Sequence, residues 1–196
     1  MGLKMDLHMY SVYSGGSLKP LELVRKYYNE EYGLMALTDR NTTEGVKEAQ
    51  IAGEALGIQV ITGVEMAALC DDIKLNILGY YFDPEDSELQ EGLARLREEG
   101  CPGLDSGEVI RLIKGAGGIA SLAAPMEIEG LGEPASEEYF QKLDPILRTL
   151  KKQGLGGLEC FHPSATHEQG IRFVTFAEKY HVHVTEGSGF RCTSEE

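Results

Sequence analysis

The chain has 196 residues, 42% of them hydrophobic and 26% charged, a composition that excludes wholesale disorder. No apolar run approaches the roughly 18–20 residues of a membrane-spanning helix, and MGLKMDLHMYS lacks the apolar stretch of a secretory leader. A formal net charge of −14, from 32 acidic and 18 basic residues, repels phosphate backbones at long range and argues against bulk nucleic-acid binding.

The elements alternate along the chain. LKMDLHMY (3–10) reads as a strand. PLELVRKYYNEEY (20–32) opens with proline at the first helical position and reads as a helix. LMALTD (34–39) is a buried strand, and TTEGVKEAQIAGEALG (42–57) a helix opened by threonine and closed at Gly57. IQVITGVEM (58–66) and KLNILGYYF (74–82) are strands. DPEDSELQEGLARLREEG (83–100) is an acidic helix with Leu89, Leu93 and Leu96 on one face. Helix 106–117, strand 118–125, a helix over 136–154 broken or kinked near Pro145, strand 157–163, helix 166–181 and strand 182–190 complete the order. The turn-rich stretch 98–107 reads as a hinge. Seven strands, mostly separated by helices, predict one α/β domain over 1–196, with parallel strands joined by right-handed crossovers in either a barrel or an open wound sheet.

Four cysteines, Cys70, Cys101, Cys160 and Cys192, show no C-x-x-C spacing. With no leader, reduced thiols in a cytoplasmic protein are expected, and Cys160 reads as a small buried hydrophobe. His167, His181 and His183 read as core or solvent residues. The Ser11, Ser14, Gly15, Gly16 turn has the composition of a backbone phosphate cradle, a weak signal in itself.

In parallel α/β architectures ligands bind at the C-terminal strand ends. Polar residues recur there: His8 and Tyr10, Asp39 and Arg40, Glu65, Asn76, His162 and Arg191. Eight ordered segments carry a resemblance: DLHMYS (6–11), PLELV (20–24), ALTDRNTTEG (36–45), VITGVEM (60–66), LNILGYYFDP (75–84), GGIASLAAP (117–125), GLECFHP (157–163) and GSGF (187–190). Together they resemble the PHP (polymerase and histidinol phosphatase) family, and within it the small bacterial phosphoesterases. The resemblance implies a distorted seven-stranded (β/α)7 TIM-like barrel. It also implies two or three divalent metals held by His, Asp and Glu at the strand ends, which polarise a phosphoryl group and activate water.

At most ligand positions this sequence departs from the family pattern. His8, Glu65 and His162 stand where the resemblance implies metal donors. Tyr10, Gly15, Arg40, Asn41, Asn76, Ala124, Gly189 and Arg191 stand where it implies other His or Asp residues. Glycine and alanine offer no side-chain donor, and arginine stays protonated. No metal, or at most one zinc or manganese on His8, Glu65 and His162, is therefore expected. Asp6 and Asp39 would support that site from behind.

Arg40 and Arg191 replace two expected histidines. They are candidates for an anion site, with the alternative that they pair with Asp39, Glu65 or Glu186. Relatives carry a helical cap between the equivalents of Arg97 and Gly107 and continue beyond Arg191, so an open, uncapped site is expected. The leading expectation is a pseudoenzyme that binds a small phosphate-bearing ligand or a protein partner. The alternative is a phosphoesterase using a single metal, with Arg40 and Arg191 clamping the phosphate, and a third is a scaffold used for oligomer contacts.

Overall fold

The computed structural model describes residues 3–191; Cys192 lies outside them. Nine strands and six helices are present among the described residues, in the expected α/β alternation. They are β1 (Met5–Met9), α1 (Pro20–Asn29), β2 (Leu34–Leu37), α2 (Val46–Leu56), β3 (Gln59–Ile61), β4 (Gly63–Cys70) and β5 (Ile73–Tyr80). Then follow α3 (Ser87–Leu96), β6 (Leu104–Asp105), α4 (Ser106–Gly115), β7 (Ile119–Leu122), α5 (Glu137–Gln153), β8 (Gly157–Phe161), α6 (His167–Tyr180) and β9 (His183–Glu186).

The strands form two sheets, ordered β1-β2-β3 and β6-β4-β5-β7-β8-β9. Isolated bridges join them at both seams, Met9 to Phe190 and Arg40 to Glu65. The two sheets together make a distorted barrel without a continuous closed ladder: β3 pairs with β2 and runs on at Gly63 into β4, and β6 is the edge strand beside β4. Gly63 divides the expected strand 58–66 because its backbone passes close to β2: a Cβ there would lie 2.4 Å from the Leu37 carbonyl oxygen.

The expected run of parallel crossovers is interrupted at β4–β5, which is an antiparallel hairpin, and at β5–β7, which also pair antiparallel. Only Asp71 and Asp72 separate Cys70 from its partner Ile73, and Asp71 has φ of 52°, the left-handed geometry a tight turn needs. An aspartate pair between two apolar runs is a hairpin signal.

Helix starts follow local chemistry. Asp86, Asp105, Ser136 and Thr166 accept from N–H groups of the first turns of α3, α4, α5 and α6. The α2 helix begins at Val46 after Gly45 rather than at a threonine, because the Thr42 hydroxyl accepts from the Glu44 N–H in the preceding turn. The α5 helix continues through Pro145, which lies on its exposed side, where water can satisfy the freed carbonyl. Between Arg97 and α4 there is only a turn and the two-residue β6, and the Arg95–Glu108 ion pair bridges α3 and α4 across this short connector.

Apolar faces pack in three clusters. The largest joins β4, β5, β7 and β8 to α3–α6. A second joins β1 and β2 to α1 and α2. A third holds Leu7, Ala36, Leu78, Tyr80 and Ala123 between the two sheets. No helix among the described residues is long and apolar enough to cross a membrane.

Candidate functional site

The site lies at the C-terminal ends of the barrel strands. In β1 the pairing register to β2 shifts between Asp6 and Met9, which breaks simple alternation. Leu7 therefore packs between the sheets, Met9 packs against α1, and His8 is left facing β8. A matching shift lies in β8 between Glu159 and Phe161. The two irregular strands present His8 and Glu159 to each other.

His8 is buried and both ring nitrogens face acceptors. Its Nδ1 lies 3.0 and 3.1 Å from the two carboxylate oxygens of Glu159. Its Nε2 lies 2.7 Å from the Tyr10 hydroxyl, which itself donates to Glu65 Oε1 at 3.0 Å. With that hydroxyl donating to Glu65, Nε2 is placed to donate to it and Nδ1 to Glu159, the arrangement of a doubly protonated imidazolium. Burial opposes this charge, but the hydrogen bonds to Glu159 and Glu65 and their negative charges overcome it and hold its pKa at about 10. Burial also opposes the Glu65 charge, but His8, Arg40 and Tyr10 hold its carboxyl below the usual range. Burial and Glu65 push the Tyr10 hydroxyl far above its ordinary value, so it stays neutral. Glu159 Oε2 also accepts from the Ala124 N–H at 2.7 Å.

Asp39 is buried and fully used. Its carboxylate accepts from the Ser11 N–H (2.8 Å), the Ser11 hydroxyl (2.6 Å) and the Ser14 hydroxyl (2.6 Å). The N–H groups of Ser14 and Gly16 go to the Ser11 carbonyl, that of Tyr13 to the Ser11 hydroxyl and that of Ser17 to the Arg191 carbonyl. The serine–glycine turn thus spends these donors on its own chain instead of cradling an anion. Asp6 accepts from the His8 and Ser188 N–H groups and from the Tyr27 hydroxyl, which ties β1 to α1 and to the 187–190 loop.

The altered positions separate into two groups. Tyr10, Gly15 and Arg191 lie together: the Arg191 guanidinium stacks 3.6 Å from the Tyr10 ring centroid, and the space beside the Gly15 Cα opens toward it. Arg40, Asn76 and Ala124 instead line one pocket of about 240 Å³ with Lys74 and two carboxylates, Glu127 and Glu129. Arg40 and Arg191 therefore do not line the same pocket. Among the described residues the Arg40 guanidinium and the Lys74 ammonium make no hydrogen bond and no ion pair within 4.0 Å, but the Arg40 charge acts on the buried Glu65 carboxylate. Arg40 also lines a neighbouring 390 Å³ cavity with Ser14 and Arg97.

His162 ends β8, with its ring 5.6 Å from that of His8. Its Nδ1 accepts from the Ser164 N–H at 3.2 Å. Gly189, at φ of 61°, leaves room for its Nε2: a Cβ there would lie 2.6 Å away, so an aspartate at 189 would displace the ring. His167, His181 and His183 lie elsewhere on the surface. Cys160 is buried, and burial pushes its thiol up to about 12, far from a nucleophile.

His8, Glu159 and His162 each offer one donor atom, all within 4.8 Å of one another. Two imidazoles and a carboxylate are the minimum donor set for one zinc, so this group fits a single ion. Glu65, the donor expected from sequence, lies one hydrogen bond away, with Oε1 3.5 Å from His8 Nε2. Its buried Oε2 has no partner among the described residues, the one orphaned oxygen that an added donor or cation would satisfy. An ion on His8 must first displace a proton. From a pKa of about 10 this costs on the order of 4 kcal/mol at pH 7, roughly a thousandfold in affinity.

Sequence reasoning missed Glu159. A carboxylate inside the buried strand GLECF is the signal that marks it, because such a charge needs a dedicated partner. The 187–190 loop closes on this pair: a Cβ at Gly187 would lie 2.2 Å from His8 Cβ and 2.6 Å from Glu159 Oε1. Gly187→Ala is therefore expected to lower stability by about 3 kcal/mol or more, since core overpacking against backbone reaches that size. Urea denaturation measures this, and a change within about 0.5 kcal/mol would contradict the close approach.

No family model matches the chain. It is 38% identical over 102 residues to a 5'-3' exoribonuclease of Haemophilus influenzae, covering 50% of this chain and 37% of that protein. It is 35% identical over 94 residues to a 3',5'-nucleoside bisphosphate phosphatase of Chromobacterium violaceum, covering 48% and 33%. The match thus spans about a third of the length of these curated relatives. Among solved structures, an amidohydrolase from Chromobacterium violaceum with bound sulfate and no metal has a TM-score of 0.86 at 21% identity, covering 98% of this chain and 89% of that one. A protein from Bifidobacterium adolescentis described as a metal-dependent phosphoesterase has a TM-score of 0.80 at 23% identity, covering 97% and 88%. A two-domain protein from Bacteroides vulgatus containing a PHP-like metal-dependent phosphoesterase has a TM-score of 0.70 at 18% identity, covering 97% and 52%. The fold is that of these PHP-like phosphoesterase structures, and about half of the chain is similar in sequence to the exoribonuclease and the phosphatase.

Proposed function

We propose that this chain binds a small phosphate-bearing ligand at the barrel mouth through cationic side chains, and that multinuclear metal catalysis has been lost. The observation that carries this reading is the pocket lined by Arg40, Asn76 and Ala124, three positions of the ancestral metal donors, together with Lys74. Neither cation there makes a hydrogen bond or a close ion pair among the described residues, though Glu127 and Glu129 share the pocket and the Arg40 charge also acts on Glu65, and a guanidinium with an ammonium supplies the donors a phosphoryl group needs. The neighbouring donors support it. Asp39 is saturated by the serine turn, and His8 is closed between Glu159, Tyr10 and Glu65. Sulfate bound without metal in a structure of the same fold supports anion capture on this scaffold in the absence of a metal.

Inorganic phosphate titrated into metal-stripped protein, followed by NMR at the Asn76 side-chain amide, tests this. Binding is expected. Arg40→Ala and Lys74→Ala should each weaken it by about tenfold or more, the size of one charge-assisted hydrogen bond. Both residues are exposed, so the variants should fold. Unchanged affinity in both variants would overturn the reading.

The group His8, Glu159 and His162 favours a second reading, a phosphoesterase with one divalent ion. Those three residues would hold the ion, which when bound supplies Lewis-acid activation of a phosphoryl group and of water. Tyr10 would then hold Glu65 in place, and Arg40 with Lys74 would orient the phosphate. The relatives named as a phosphatase and a nuclease support this alternative.

A further inference from the structure

A second pocket, of about 400 Å³, lies at the opposite end of the barrel, where β7, β8 and β9 begin. Its titratable lining residues are Lys114, Lys151, His181 and His183, with no carboxylate among them. In a chain of net charge −14 such a one-signed cavity is unusual. We infer that this pocket is a second anion site, separate from the barrel mouth, for a small multivalent oxyanion of the phosphate or pyrophosphate class.

Helix electrostatics account for part of the arrangement but not all of it. Lys114 and Lys151 lie in the last turns of α4 and α5, and His181 caps α6, where the negative helix ends favour cations. The carbonyls at those ends, however, are already taken. The Gly117 N–H donates to the Lys114 carbonyl, and the Gly154 N–H to those of Leu150 and Lys151. Lys151 Nζ donates to the His181 carbonyl at 2.9 Å. That leaves the Lys114 ammonium with no hydrogen bond or ion pair among the described residues, and both imidazoles exposed. Lys114 leans over Gly154, where a Cβ would lie 2.6 Å from its Nζ, so the absence of a side chain there holds the ammonium at the cavity wall. A free ammonium, a second lysine anchored beside it and two imidazoles around one cavity form the donor set for an oxyanion with more than one negative charge.

Pyrophosphate titrated into metal-stripped protein and followed by 1H–15N NMR tests the inference. Saturable shifts are expected at the Gly118, Gly154 and Gly156 amides. Lys114→Gln should weaken that response by about tenfold or more, and His183→Gln should weaken it further. Both residues are exposed, so the variants should fold. Arg40→Ala should leave these three amides responding as before, which separates this site from the one at the mouth. Absence of shifts there, or Lys114→Gln and His183→Gln both leaving the affinity unchanged, would overturn the inference whatever happens at the mouth.

Discussion

Glu159→Ala is expected to destabilise the fold by about 3–5 kcal/mol, the cost of removing one partner from a buried ion pair. The carboxylate faces the His8 imidazolium with both oxygens, and one of these oxygens also takes the Ala124 N–H. Truncation leaves a buried charge half-compensated and a buried donor without an acceptor. Glu159→Gln keeps one oxygen to accept from Ala124 and His8 but replaces the other with an NH2 donor and removes the charge, so it should lose less than the alanine variant. Urea denaturation of the three proteins at neutral pH measures this. A loss below about 1 kcal/mol for the alanine variant would show that the pair contributes no more than a surface contact.

Stability should fall as the pH rises from neutral toward 10. The folded state holds the His8 pKa at about 10 against an ordinary value of 6.5. The folded state binds this proton more tightly, so the contribution is complete below 6.5 and is lost as the pH passes through 10. The difference corresponds to an upper limit of roughly 5 kcal/mol. Glu65 acts with the opposite sign: its pKa is lowered, so its contribution is present above the usual carboxylate range and is lost in acid. Denaturation midpoints across the pH range, with His8→Gln beside the parent, check this. The parent should decline on the alkaline side and the variant should be flatter there. A parent curve that is flat from pH 7 to 10 would mean that His8 is neutral.

Much of the barrel is legible in the sequence because strand and helix signals differ in period and in punctuation. Pro20 at the start of α1 and Gly57 at the end of α2 mark their boundaries. The antiparallel β4–β5 hairpin departs from the expected parallel crossovers. The Asp71–Asp72 pair sits between two apolar runs as a turn would, whereas strands mostly separated by helices point to crossovers. In the site, position in a strand end located His8 and His162, and these do meet. Which groups they bond was not legible, because it depends on the irregular registers of β1 and β8. Arg40 and Arg191 look equivalent in the sequence, yet one lines a pocket with Lys74 and the other stacks on Tyr10. Lys74 sits beside Asn76 on the exposed part of β5, and nothing local to KLNIL marks it as a partner for Arg40.

If side-chain cations rather than metal ions hold the anion at the barrel mouth, phosphate binding needs no metal. The most direct test takes metal content by mass spectrometry after equilibration with zinc and manganese, and pairs it with phosphate titration of the stripped and the equilibrated protein. Metal no higher than in the His8→Ala control is expected, with phosphate affinity that agrees within about twofold between the two preparations. About one ion per chain, absent from the control, with phosphate binding only in the loaded protein, would contradict it and establish the single-metal site instead.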